Sequence, residues 1–182
     1  MKRNIDNAGK TILDIFENTA VIHGKRSAVK DPTRELTYGE LFECAQRMAA
    51  EVGEVLYPEE DPAVETGFPI AILAEKSCSE LAAVLASVYA GSFYVCINPE
   101  QTESRISSIL NVLEPRLVIV EDKQKEKLSR AGYEGKTLSL DALVKKAEEG
   151  ETPEAAMMKL MKIRREIRST DPLYGIFTSG ST

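Results

Sequence analysis

Three short apolar runs decide what this chain can become: Pro69-Ile70-Ala71-Ile72-Leu73, Phe93-Tyr94-Val95-Cys96-Ile97 and Leu117-Val118-Ile119-Val120. None alternates with polar residues, so a strand built from any of them needs cover on both faces. The first run is followed by Ser77-x-x-Glu80, a capping box, and a helical stretch from Leu81 to Ala90 that ends at Gly91. Asn98-Pro99 closes the second run. Thr102 then caps a helix carrying Ile106, Ile109, Leu110 and Leu113 on one stripe, which stops at Pro115. Apolar runs alternating with amphipathic helices spell βαβ units, and right-handed crossovers place the helices over the sheet. The expected fold class is α/β on a parallel sheet.

Less regular segments flank this middle. Thr11 to Ala20 reads as a helix with Ile12, Ile15, Phe16 and Thr19 on one face. Ser27–Lys30 and Glu35–Thr37 flank Asp31-Pro32-Thr33-Arg34, which has turn chemistry, so a small hairpin is expected. Thr37 and Glu40 form a capping box for a helix that turns Leu41, Cys44, Ala45, Met48 and Val52 inward, with an acidic loop from Glu54 to Gly67. After Glu121 the pattern predicts a charged helix from Lys123 to Arg130, a strand from Lys136 to Leu140 and a helix from Asp141 to Glu149. A Met- and Arg-rich helix from Glu154 to Ile167 and a short buried strand from Leu173 to Phe177 complete it.

Composition narrows the function classes. The 182 residues are 43% hydrophobic, enough for a sizeable core, and the net charge of −6 argues against an unaided binder of nucleic acid or anionic membrane. No apolar run is long enough to span a bilayer, and the basic start, Met1-Lys2-Arg3, lacks the apolar stretch of a secretory signal. Cys44, Cys78 and Cys96 show no paired spacing and read as free, packed thiols of a reducing, cytoplasmic setting.

Few single residues suggest chemistry. His23 is the only histidine, so no pairing with a second one can arise, and it is placed in a loop. Met157, Met158 and Met161 follow helical spacing, as for core or interface. Lys159, Lys162, Arg164, Arg165 and Arg168 read as a solvated basic face compensated by Glu166 rather than as an anion site. No catalytic residue and no metal-ligand cluster stands out. The residues that remain are Thr178, Ser179, Gly180, Ser181 and Thr182, after the Leu173–Phe177 strand. A Ser/Thr/Gly loop after a strand can hold phosphate through backbone amides and hydroxyls. It can also be a plain polar segment. It matches neither the Walker-type loop nor G-x-G-x-x-G.

Three stretches in order carry a resemblance: Leu36-Thr37-Tyr38-Gly39-Glu40-Leu41, the stretch AGSFYVCINPEQTESRI from Ala90 to Ile106, and LYGIFTSGST from Leu173 to Thr182. Together they resemble the adenylate-forming superfamily of acyl-CoA synthetases, peptide-synthetase adenylation domains, D-alanine ligases and luciferases. The likeness runs over the whole chain. Departures fall at packing and turn positions: Ser92-Phe93 stands for the usual Gly-Ala, Cys96 for a frequent Pro, Thr102 and Ser104 for Pro and Glu, and Phe177 for Tyr.

The resemblance implies a parallel-sheet subdomain of the large N-terminal domain of such enzymes. Residues 1–182 would be partial, ending inside the phosphate-binding loop, with the acid pocket, adenine site and C-terminal catalytic lysine elsewhere. The parent activity implied is ATP- and Mg²⁺-dependent activation of a carboxylic or amino acid to an acyl-adenylate and pyrophosphate. Acyl transfer would follow to coenzyme A or a carrier-protein thiol. Thr178 to Thr182 would contact phosphate. The fragment itself would be inactive, without a firmly bound cofactor, and would self-associate through sheet surface left bare. The competing expectation is a non-catalytic α/β interaction module that keeps the family fold.

Overall fold

The computed structural model describes residues 9–59, 63–150 and 152–178. Four parallel strands form its centre, β3 (Phe68–Leu73), β4 (Ser92–Ile97), β5 (Leu117–Val120) and β6 (Thr137–Ser139), in the order β4-β3-β5-β6. A small antiparallel hairpin, β1 (Ser27–Lys30) with β2 (Glu35–Thr37), stands apart from this sheet. Seven helices complete the described fold: α1 (Ile12–His23), α2 (Tyr38–Leu56), α3 (Cys78–Tyr89), α4 (Glu103–Leu113), α5 (Lys125–Arg130), α6 (Leu140–Glu149) and α7 (Glu154–Glu166).

The apolar runs become the strands, and their period of two sorts each into two layers. Ile70, Ile72, Leu117 and Ile119 point to one face, where they meet Met48 and Val52 of α2, Ala82 and Ala86 of α3, and Leu143 of α6. Ala71, Leu73, Val95, Ile97, Val118 and Val120 point to the other, against Ile106, Ile109 and Leu110 of α4 and Leu128 of α5. The result is a three-layer sandwich. Each fully buried Ile or Leu contributes about 1.5–3 kcal/mol by leaving water, so the middle strands carry much of the stability.

Local signals set the helix ends. At α1, the Thr11 hydroxyl accepts from the Asp14 amide at 3.1 Å while the Thr11 amide donates to Asp14 at 2.7 Å, a complete capping box. Thr37 and Glu40 form the same device on α2. Ser77 caps α3 by accepting from the Glu80 amide at 3.1 Å, but no return bond from Glu80 is present, so this box is only half formed. Gly91 takes φ = +78° just after α3, where a Cβ would lie 3.2 Å from Thr66 and 3.3 Å from Ile163. Glycine is what allows the chain to turn there into β4.

Several expectations need correction. In α1 the buried residues are Leu13 and Ala20, with Phe16 half-buried, while Ile12 and Ile15 lie on an exposed side. Both choices of face fit an apolar stripe, and packing against α2 selects the second. His23 is the last residue of α1, not part of a loop, and α2 runs to Leu56, so the expected acidic loop starts later and residues 60–62 of it lie outside the described residues. The charged helix after Glu121 splits into a 3₁₀ turn, Asp122–Gln124, and α5. Cys96 is exposed rather than packed, and Met158 and Met161 are 64% and 57% exposed. The basic face of α7 is not simply solvated: Arg164 grips Asp14 and Glu17 of α1, and Lys159 pairs with Glu54 of α2 at 2.9 Å. Leu173–Phe177 forms no buried strand. Finally, the chain's own helices cover both sheet faces, so bare sheet surface is no ground for self-association.

Candidate functional site

Leu173 to Thr178 lies along the outer edge of β4. The Tyr94 amide donates to the Leu173 carbonyl at 3.2 Å and the Gly175 amide to the Tyr94 carbonyl at 2.9 Å, giving one parallel bridge at Tyr174. This strap exposes Tyr174 by 56% and Ile176 by 73%, while Phe177 folds back on the α4 side of the core. The Tyr94 and Tyr174 rings lie 6.1 Å apart at 32°. Burial raises the Tyr94 hydroxyl above its ordinary range, so it stays protonated at neutral pH.

The strap approaches β4 closely because residue 175 has no side chain. A Cβ there would lie 3.0 Å from Val95 and 3.5 Å from Phe93. Beyond Gly175 the strap and β4 enclose a groove of about 410 Å³, lined by Tyr94, Gln101, Ile109, Gly175, Ile176 and Phe177 among others. The Gln101 Oε1 is shut off from solvent and has no partner among the described residues.

Of the predicted phosphate contacts, Thr178 is described, and it is exposed at the lip of this groove. Ser179, Gly180, Ser181 and Thr182 lie outside the described residues. Thr178 is not loose at its backbone: its carbonyl accepts from the Arg105 guanidinium at 3.1 Å. Arg105 sits in the first turn of α4, where Thr102 accepts from its amide at 3.3 Å.

Arg105 is the residue that sequence reasoning passed over. It lies inside the quoted stretch that ends at Ile106, and a signal was present. A cation in the first helical turn opposes the helix dipole, which favours acids there. Such a local conflict calls for a compensating contact. Here that contact is Thr178, and the outcome is a fixed positive charge together with the positive end of α4 beside the entrance to the Ser/Thr/Gly loop. Positive potential with hydroxyls and open backbone donors suits a phosphate chain. Among the described residues no cluster of His, Cys, Asp or Glu could hold a metal ion, and no helix is long and apolar enough to cross a membrane.

Comparison with known proteins bears on the family and the fold. A model of the AMP-binding enzyme family matches residues 16–182. Tyrocidine synthase 1 of Brevibacillus parabrevis is 29% identical over 174 residues, which is 96% of this chain and 14% of that protein. The nonribosomal peptide synthetase imqB of Aspergillus flavus is 28% identical over 94% of this chain and 5% of its own length. The crystal structure of the Klebsiella oxytoca NpsA N-terminal subdomain superposes with a TM-score of 0.74 at 24% identity, over 95% of this chain and 40% of that one. This chain therefore spans a small part of those synthetases, and the superposition supports the fold.

Proposed function

The chain belongs to the AMP-binding enzyme family, and on that premise we propose that residues 1–182 are the N-terminal part of an ATP-dependent ligase that activates a carboxylic or amino acid. The carboxylate oxygen would bond to the α-phosphorus as the bond to pyrophosphate breaks, giving an acyl- or aminoacyl-adenylate. A thiol of coenzyme A or of a carrier-protein phosphopantetheine would then take the acyl group and release AMP. Relatedness to peptide synthetases favours an amino acid and a carrier thiol within those classes.

The difficulty in the first step is negative charge gathering on the departing pyrophosphate. ATP would supply the adenylyl group, and Mg²⁺ would neutralise phosphate charge. This chain's share is preorganisation: donors set in advance toward developing charge lower the barrier without reorganising during the step. We assign the hydroxyls of Thr178, Ser179, Ser181 and Thr182 to that role, with Gly180 permitting close backbone approach. The observation that carries the reading is the hold of Arg105 on the Thr178 carbonyl at 3.1 Å, because it ties the residue that enters the motif to a rigid helix.

The remaining partner we assign is a second copy of residues 1–182. Its contact is the outer edge of the Leu173–Thr178 strap, not a sheet face.

The test is acid-dependent exchange of pyrophosphate into ATP. A longer protein containing this chain should show exchange with at least one member of a broad panel of carboxylic and amino acids, while purified residues 1–182 should show none. Absence of exchange from the well-folded longer protein would favour a non-catalytic module.

A further inference from the structure

A second recess lies apart from the strap groove. It is bounded by the start of α1, by the turn from α3 into β4 and by residues 167–173. Its volume of about 100 Å³ has room for about three waters at about 30 Å³ each, well short of the several hundred Å³ that a nucleotide needs.

Part of its otherwise largely apolar lining offers donors. Ser92 is 3% exposed, and its Oγ has no hydrogen-bond partner among the described residues. Buried hydroxyls are almost always bonded, so this one points to a missing partner, which an acceptor in the recess would supply. Lys10 and Arg168 also line the recess, and among the described residues neither side-chain cation has a hydrogen-bond or ion-pair partner. Asp171 is the acid in the lining, and one of its oxygens already accepts from the Arg168 amide at 2.9 Å. The first turn of α1 opens here as well. Its Thr11 and Asp14 amides are satisfied by the capping box, but the Ile12 amide has no intrahelical acceptor. Two exposed cationic residues, a helix N-terminus and an orphaned hydroxyl thus border one small space, with an acid that has one oxygen already engaged.

We infer that this recess binds a phosphate-sized oxyanion, with free inorganic phosphate as its ligand. Arg168 and Lys10 supply charge, and the Ser92 hydroxyl and the Ile12 amide supply donors. The lining segment 167–173 runs directly into the strap that leads to Thr178. A bound anion therefore ties that segment to α1 and β4 and stabilises the strap at its root.

The test uses purified residues 1–182 titrated with sodium phosphate against sodium chloride of equal ionic strength, read by thermal unfolding and by calorimetry. A saturable rise in unfolding temperature is expected in phosphate only, since a ligand of the native state stabilises it. Arg168→Ala should weaken phosphate binding by about tenfold or more, the cost of losing a charged hydrogen-bond partner. Ser92→Ala should weaken binding yet leave the unliganded protein as stable or more so, a split that a purely structural serine would not give. Arg165→Ala on α7, which does not line the recess, should change nothing. Equal stabilisation by chloride, or unchanged affinity in Arg168→Ala, would overturn the site. Tighter Arg168-dependent binding of pyrophosphate or ATP than of phosphate would overturn the size assignment.

Discussion

At the scale of single residues, the phosphate-loop reading makes separable demands on side chain and backbone. If Thr178 and Ser181 donate to phosphate charge, Thr178→Ala and Ser181→Ala in the longer protein should each lower the rate of adenylation. One lost donor to developing charge raises a barrier by about 2–4 kcal/mol. Folding, followed by circular dichroism, should not change. Near-normal pyrophosphate exchange in both variants at saturating ATP would return the loop to a plain polar segment. Arg105→Ala tests the anchor: loss of its bond to the Thr178 carbonyl should lower the rate while leaving the hydroxyls in place. Sequence reasoning proposes the first set because the motif displays them. It passed over Arg105 because its partner is a carbonyl 73 residues away, which no local spacing encodes.

Asp31 is a second residue whose role depends on distance. One of its oxygens accepts from the amides of Thr33 and Arg34 and the Thr33 hydroxyl, and the other accepts from the Cys78 amide at 2.8 Å. The carboxylate thus closes the hairpin and caps α3 across the fold. These bonds, that of the Thr33 hydroxyl foremost, hold its pKa far below the ordinary carboxylate range. A depressed folded-state pKa means that the stabilisation is fully present above the unfolded value near about 4 and is lost as pH falls below it. Asp31→Asn should therefore lower stability at pH 7 and flatten the fall in urea midpoint between about pH 5 and pH 2. An unchanged pH profile would show that the other capped carboxylates, Asp14 and Glu40, carry that dependence.

At the scale of elements, legibility followed burial. The sheet strands whose every residue is apolar were readable, because no other arrangement hides them, and α2 and α4 began just after the Thr37 and Thr102 caps expected for them. Misreadings fell on surface elements, where two faces compete. On α1 the stripe of Ile12 and Ile15 is as apolar as the buried one, and the choice is made by packing against α2 and reinforced from α7, both outside any local window. Arg164 reaches from α7 to Glu17 at 2.9 Å and also bonds Asp14, fixing the rotation of α1. Its side chain is 21% exposed, so removing it strands two half-buried acids. Arg164→Met should cost about 1–3 kcal/mol in urea unfolding. Arg164→Lys should recover only part, because an ammonium lacks the planar fork that spans both carboxylates. Full recovery by lysine would reduce the contact to simple charge pairing.

At the scale of the whole molecule, the question is which surface a second copy would use. Apolar strands alone suggest bare sheet faces, but α2, α3 and α6 cover one and α4 and α5 the other. Helices outside each run's own window supply that cover, which is why the run by itself misleads. The strap along β4 is different. It pairs with β4 through two backbone bonds, and its outer side presents Tyr174 and Ile176, which are 56% and 73% exposed. An extended segment with unpaired backbone and apolar side chains is a template for edge-to-edge pairing. The net charge of −6 gives general repulsion but does not mask a local edge. Residues 1–182 should therefore show concentration-dependent dimers in light scattering. Ile176→Asp should abolish them by placing a charge on the edge, while leaving the unfolding temperature close to that of the parent, since Ile176 lies outside the core. A strict monomer at millimolar concentration, or dimers that persist in Ile176→Asp, would rule out the strap as the contact.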